Sequence, residues 1–229
     1  MSAGQRVLVC DDELQILRAL RVILRDAGFE VIGVGTAQEA LDAAAVKHPD
    51  AAILDLVLPD GDGVEICRSI REWSEMPIIV LSAIGEEEQK IRALEAGADD
   101  YVTKPFSPGE LTARLTRALE RAGTRPDPGE PVLSADGLEL DLAAHRVLVD
   151  GAEVHLTPIE FELLRTLMQG RGRLLTHRAL LAEVWGPGYE FDTQTLRVHV
   201  ANLRRKIEPQ PGAPRYIVTD PGVGYRFAV

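Results

Sequence analysis

Along residues 6–122, short and almost wholly apolar runs alternate with longer stretches whose apolar residues recur every three to four positions. The runs near 6–10, 30–34, 51–55, 77–82 and 100–103 have strand length and are largely apolar, the signature of strands covered on both faces. The stretches near 13–27, 36–47, 62–73, 86–96 and 108–122 have the helical period, and Thr36 with Glu39 resembles a capping box opening the second. Five such β-α units predict an α/β fold: a doubly wound, five-stranded parallel sheet with helices on both faces.

The pattern breaks after residue 122. Gly123-Thr-Arg-Pro-Asp-Pro-Gly-Glu-Pro131 has no apolar period and reads as a linker. Short alternating segments at 138–142, 146–149 and 153–156, with the turn signal Asp150-Gly151, predict an antiparallel meander. Thr157-Pro-Ile-Glu160 combines an N-cap, a proline at N1 and a capping-box glutamate, so a helix runs from there to about Gln169. A second helix is capped by Thr176, and a third spans about Thr193 to Ile207. Two short strands around Asp220-Pro-Gly-Val-Gly224 close the chain as a hairpin. Three helices plus a terminal hairpin make an α+β domain of winged helix-turn-helix type. The reading is therefore residues 1–122, a linker at 123–131, and residues 132–229.

Composition narrows the classes. No apolar stretch approaches the roughly 18 residues of a membrane span, and Met-Ser-Ala-Gly-Gln-Arg leads straight into a strand with no secretory leader. Cys10 and Cys67 are too far apart for a Cys-x-x-Cys pair and read as buried thiols, as expected of a cytoplasmic protein. The formal charge of −11 is unevenly spread. Residues 1–122 carry 13 Lys/Arg against 22 Asp/Glu, whereas Thr193–Lys206 holds Arg197, Arg204, Arg205 and Lys206 with no acid. An acidic first domain and a basic helix in the second mark two different interaction faces.

Chemistry collects at the carboxyl ends of the predicted strands. Asp11 and Asp12 follow the first, Asp55 ends the third, Ser82 the fourth and Lys104 the fifth. In an open parallel sheet those ends share one crevice. Three carboxylates there suit a divalent cation, Mg²⁺ or Mn²⁺, with the Val57 carbonyl a further ligand. Asp55, on the central strand, is the candidate nucleophile toward phosphorus, and Lys104 and Ser82 are placed to meet phosphoryl oxygens. Asp60-Gly-Asp-Gly63 hints at a calcium loop but lacks its alternating ligands and terminal glutamate, so a helix-capping turn fits better. Gly33-x-Gly35 lacks the third glycine of a dinucleotide fingerprint.

Val9-Cys-Asp-Asp12, Leu54-Asp-Leu-Val-Leu-Pro-Asp-Gly-Asp-Gly63, Leu81-Ser-Ala83 and Gly97-Ala-Asp-Asp-Tyr-Val-Thr-Lys-Pro-Phe106 resemble, in order and spacing, the receiver domain of bacterial response regulators. The resemblance implies a flavodoxin-like sheet of order 2-1-3-4-5. It also implies phosphoryl transfer to Asp55 from the phosphohistidine of a sensor histidine kinase, with Ser82 then swinging toward the phosphate and Tyr101 turning inward. A cis Lys104–Pro105 bond is a further implication. Lys90, Glu95, Asp99, Asp100, Glu110 and Arg114 resemble the charged set that pairs two receivers, with Lys90 meeting Glu110 and Asp100 meeting Arg114 across a two-fold axis.

In the second domain, Leu196, Val200, Leu203 and Ile207 make one apolar stripe, and Arg197, Ala201, Arg204 and Arg205 lie on another face. His199, Asn202 and Lys206 lie beside that face, and Tyr225 and Arg226 belong to the hairpin; all are candidate DNA contacts. Leu156-Thr-Pro-Ile-Glu-Phe161, Val184-Trp185, Leu196-Arg-Val-His-Val200, Leu203-Arg-Arg-Lys206 and Gly222-Val-Gly-Tyr-Arg-Phe227 resemble the effector domain of the OmpR/PhoB family. Within it, His155–Phe161 and Val184-Trp-Gly-Pro187 look most like the regulators of potassium-pump operons. Gln194, Ala201 and Pro221 stand where some relatives carry a basic residue.

The expectation is a transcription factor, not an enzyme, that dimerises on phosphorylation and binds tandem half-sites of double-stranded DNA, with no membrane partner. Two rivals are weaker. An aspartyl-phosphate phosphatase needs a second carboxylate two positions after Asp55, where Val57 stands. A phosphorylation-independent DNA binder leaves the whole crevice set without a purpose.

Overall fold

A computed structural model describes residues 4–83, 87–123 and 132–228. The linker expected at 123–131 lies, beyond Gly123, outside the described residues. The chain divides into two compact units, Met1–Ala122 and Gly123–Val229.

The first unit runs β1 (Arg6–Cys10), α1 (Leu14–Asp26), β2 (Glu30–Val34), α2 (Ala37–Lys47), β3 (Ala51–Asp55), β4 (Val57–Leu58), β5 (Gly61–Asp62), α3 (Gly63–Arg71), β6 (Ile78–Ala83), α4 (Glu87–Glu95), β7 (Asp100–Lys104) and α5 (Pro108–Gly123). Its sheet is parallel, in the order β2-β1-β3-β6-β7. β1 and β3 are buried along nearly their whole length, which is why their sequences are continuous apolar runs and not alternating ones. The register sets Cys10 beside Leu54, Asp55 beside Leu81, and Ala83 beside Lys104, so the polar residues at the strand ends arrive at one level. Thr36 accepts from the Glu39 backbone N–H, and the Glu39 carboxylate accepts from Gly35, an N-cap reinforced from both sides. β4 and β5, a two-residue ladder, are too short to leave a periodic trace in the sequence.

The second unit begins with an antiparallel sheet of β8 (Val132–Ala135), β9 (Leu138–Asp141), β10 (Arg146–Val149) and β11 (Ala152–Val154). Asp150 and Gly151 both have positive φ, as the two-residue turn between β10 and β11 requires. Then follow α6 (Pro158–Gln169), β12 (Leu174–Thr176), α7 (His177–Val184), α8 (Thr193–Ile207), β13 (Ile217–Asp220) and β14 (Gly224–Phe227). The capping box at Thr157 and Glu160 forms as the spacing predicts. The terminal hairpin is one strand larger than expected: β12 pairs with β14 to give a three-stranded wing sheet. Gly224 permits that approach, because a Cβ there would meet the Leu175 carbonyl oxygen at 1.9 Å.

One core joins Leu163, Leu164 and Leu167 of α6, Leu180 and Leu181 of α7, Leu196, Val200, Leu203 and Ile207 of α8, and Tyr216 and Phe227 of the wing. The apolar stripe read along Thr193–Ile207 is the face that packs into it.

Candidate functional site: a carboxylate crevice and a basic helix

The crevice assembles at the carboxyl edge of the parallel sheet. Lys104 Nζ lies 2.8 Å from both Asp11 Oδ2 and Asp55 Oδ2, joining residues 93 and 49 positions away along the chain. Asp11 is fully buried and Asp55 nearly so, whereas Asp12 is exposed. Ligand oxygens of the three aspartates lie within 4.8 Å of one another, close enough to share one ion. Burial pushes the Asp11 carboxyl above the usual carboxylate range, opposed by hydrogen bonds from Lys104 and the Glu13 backbone. The Lys104 ammonium loses hydration by burial, yet the two carboxylates hold it above the ordinary lysine value. Two buried anions beside an exposed third, with one lysine among them, leave excess negative charge; the donor set fits a hard divalent cation.

Ser82 is 1% exposed, and its hydroxyl has no hydrogen-bond partner among the described residues. A buried hydroxyl without a partner costs about 1–3 kcal/mol. Its place beside Thr103 in the β6–β7 register puts that unmet capacity at the same sheet edge as Asp55. Tyr101 is half-buried, with Lys90 Nζ 4.8 Å from its ring centroid. The Lys104–Pro105 peptide is cis.

The acidic turn after Asp55 proves to be scaffolding. Asp60 accepts from the Ala37 and Gln38 backbone N–H groups at 2.7 and 3.1 Å, which lowers its pKa, and Asp62 caps α3 through Val64. Asp62 also pairs with Arg92 of α4 at 3.1 Å. Gly63 lies so close to the end of β3 that a Cβ would fall 2.2 Å from the Asp55 carbonyl oxygen. Cys10, buried, donates to the Thr36 carbonyl, and burial followed by the Asp11 charge pushes its thiol up to about 12.

The expected dimer set divides. Lys90, Glu95, Asp100, Glu110 and Arg114 lie on α4, β7 and α5. Asp99 is a correction: it is 1% exposed, pairs with Arg71 at 2.8 Å and accepts from the Ile78 backbone, so it serves the interior of its own chain. The Asp100–Arg114 pair, expected across a two-fold axis, forms within one chain, with Arg114 3.1 Å from both Asp100 oxygens and also bound to Glu110. Lys90 reaches Glu87, at 3.4 Å.

The basic helix is more deeply embedded than its sequence suggests. His199 is buried against Trp185, and Asn202 is 6% exposed, its amide oxygen accepting from Arg205. Arg204 donates to the Ile217 carbonyl and the Thr219 hydroxyl and lies over the Tyr225 ring. Lys206 is held by Glu160 at 2.6 Å, Tyr225 is buried, and Arg226 pairs with Asp220. These side chains are buried or bound within the domain because α8 packs against α6 and α7 and Arg204 reaches the wing. The open strip is Arg197, Ala201 and Arg205, with Gln194 half-exposed before it and Lys206 exposed beside its end. The sequence reading missed Glu208, whose buried carboxylate accepts from the backbone of Arg215, Tyr216 and Ile217 and fixes the wing to the end of α8. A lone glutamate after a helix carries no signal of that role.

Residues 7–116 match the family model described as response regulator receiver domain, and residues 151–227 match transcriptional regulatory protein, C terminal. The chain is 49% identical over 221 residues to the transcriptional regulatory protein KdpE of Mycobacterium tuberculosis, covering 96% of this chain and 98% of that protein. It is likewise 49% identical over 223 residues to the KDP operon transcriptional regulatory protein KdpE of Escherichia coli, covering 96% and 98%. Among solved structures, response regulator DrrB of Thermotoga maritima, an OmpR/PhoB homologue, is 33% identical with a TM-score of 0.52, covering 99% of this chain and all of that one.

Proposed function

The chain belongs to the OmpR/PhoB family of two-component response regulators, and from that premise we propose that phosphorylation of Asp55 switches it into a dimer that regulates potassium-transport genes of the kdp type. The observation that carries the switch is the convergence of Asp11 and Asp55 on the Lys104 ammonium, beside the hydroxyl of Ser82, which has no partner among the described residues.

The Asp55 carboxylate attacks the phosphorus of a kinase phosphohistidine; the new P–O bond forms as the P–N bond breaks and the imidazole leaves. Lys104 releases Asp55 and pairs with the phosphoryl oxygens, and Ser82 donates the hydrogen bond it otherwise lacks. Asp11, Asp12, Asp55 and the Val57 carbonyl would hold Mg²⁺ or Mn²⁺, which offsets the repulsion between carboxylate and phosphoryl charge. The protein assists only its own phosphorylation and dephosphorylation; its output is transcription. Rotation of Tyr101 toward the space left by Ser82 would free Lys90 to meet the partner's α5 face at Glu110, with Glu95 and Arg114, the latter held by Asp100 of its own chain, setting register.

Two effector domains then sit on tandem half-sites one helical turn, about 10–11 bp, apart. Dimerisation converts two weak contacts into one linked event, so a small conformational bias gives a large gain in DNA affinity. The place of action is the cytoplasm; no helix among the described residues is long and apolar enough to cross a membrane.

The test follows intact mass and DNA affinity together, with Mg²⁺ and a small acyl phosphate, for the natural chain and Asp55→Asn. One phosphoryl group gained by the natural chain alone, with tighter DNA binding, is the expected result. A mass gain without a change in affinity overturns the coupling, and no gain even with a kinase donor overturns the switch.

A further inference from the structure

We infer that Ala201 is a specificity-determining residue, reading a thymine methyl beside a guanine read by Arg197. The inference rests on the DNA-binding role proposed above and goes beyond it to the bases.

The argument starts from which side chains of α8 are available. Arg204 is committed to the wing through Ile217 and Thr219, Lys206 to Glu160, and Arg226 to Asp220. His199 and Asn202 are buried. Arg197, by contrast, is exposed, and among the described residues it makes no hydrogen bond or ion pair. An arginine with an open guanidinium on a helix entering the major groove is suited to the O6 and N7 acceptors of guanine.

Ala201 follows one turn later on the same strip and is also exposed. Its methyl can neither donate nor accept a hydrogen bond, so it discriminates only by apolar contact. Thymine alone among the four bases presents a methyl in the major groove. A rise of about 1.5 Å per residue puts positions 197 and 201 some ~6 Å apart along the helix, within two base-pair steps. The pair therefore reads guanine and thymine within two steps of one another. Arg205, farther along the strip and hydrogen-bonded to Asn202, is left to meet phosphate.

The test selects duplexes from a randomised pool with the full-length, phosphorylated protein and then assays the recovered site with thymine replaced by deoxyuridine, which removes only the methyl. The recovered motif should hold a guanine and a thymine within two steps. Deoxyuridine should weaken binding about fourfold, the worth of one buried methyl. Ala201→Gln should lose both the thymine preference and the sensitivity to deoxyuridine, while Arg197→Ala loses the guanine and keeps the thymine. A motif without that thymine, equal binding of deoxyuridine, or Ala201→Gln retaining the preference overturns the inference while DNA recognition stands. Recovery of no motif overturns the DNA-binding role and this inference with it. The deoxyuridine assay uses the unaltered protein and so holds even if a variant fails to fold.

Discussion

Arg71 Nη2 lies 2.8 Å from Asp99 Oδ2, an ion pair buried between the end of α3 and the start of β7. The same guanidinium donates to the carbonyls of Gly97, Ser74 and Met76, and Asp99 also accepts from Ile78, so its charge is met inside one chain. Removing Arg71 strands a buried carboxylate. Arg71→Met should cost about 3–5 kcal/mol in unfolding free energy, the usual loss on breaking one side of a buried pair. Chemical denaturation of the monomer reads this, and a loss under about 1 kcal/mol would show that the pair is dispensable.

Gly63 leaves no room for a side chain against the end of β3. A methyl there would sit 2.2 Å from the Asp55 carbonyl oxygen and 2.8 Å from Leu56 Cα, both backbone atoms. Gly63→Ala should destabilise the fold by about 1–3 kcal/mol, as overpacking does, and should also slow phosphorylation of Asp55 by shifting its backbone. Stopped-flow phosphorylation under conditions where the variant is folded separates the two effects. An unchanged rate would mean that Asp55 does not depend on this contact.

Ser82→Ala has an unusual expected signature. Its hydroxyl is buried without a partner, so its removal should leave stability unchanged or raise it by up to about 3 kcal/mol. Phosphorylation should persist, because the nucleophile and lysine are intact, while the accompanying gain in DNA affinity falls. Thermal melting paired with a binding titration measures both. A loss of more than about 1 kcal/mol without phosphoryl donor would reveal a hydrogen bond that Ser82 makes in the resting state.

Cys67 is buried among the residues of α3, and burial pushes its thiol from 9.0 up to about 12. The folded state therefore retains a proton that the unfolded chain has lost between those values. Its contribution to stability is fully present below pH 9 and declines as pH rises from 9 toward 12. Iodoacetamide at pH 8 should leave Cys67 unmodified until denaturant is added. Rapid labelling of the native protein would contradict its burial.

The periodicity of the chain alone determined the five parallel strands, the three helices of the second unit and the crevice residues. Each of these leaves a local signature: an apolar run, a 3.6-residue stripe, or a polar residue where a strand must end. Asp11, Asp55 and Lys104 needed only the rule that parallel strands share one carboxyl edge. The fate of charged and polar groups was decided by tertiary structure. Asp99 and Asp100 are adjacent in sequence, yet one pairs inward with Arg71 and the other with Arg114. Along α8, Arg204 and Arg205 are consecutive, and only the second remains on the open strip, because Ile217 and Thr219 claim the first. Burial of an apolar residue follows from its own chemistry and period, whereas the partner of a charge depends on what distant segments bring within about 3 Å, which no local pattern records.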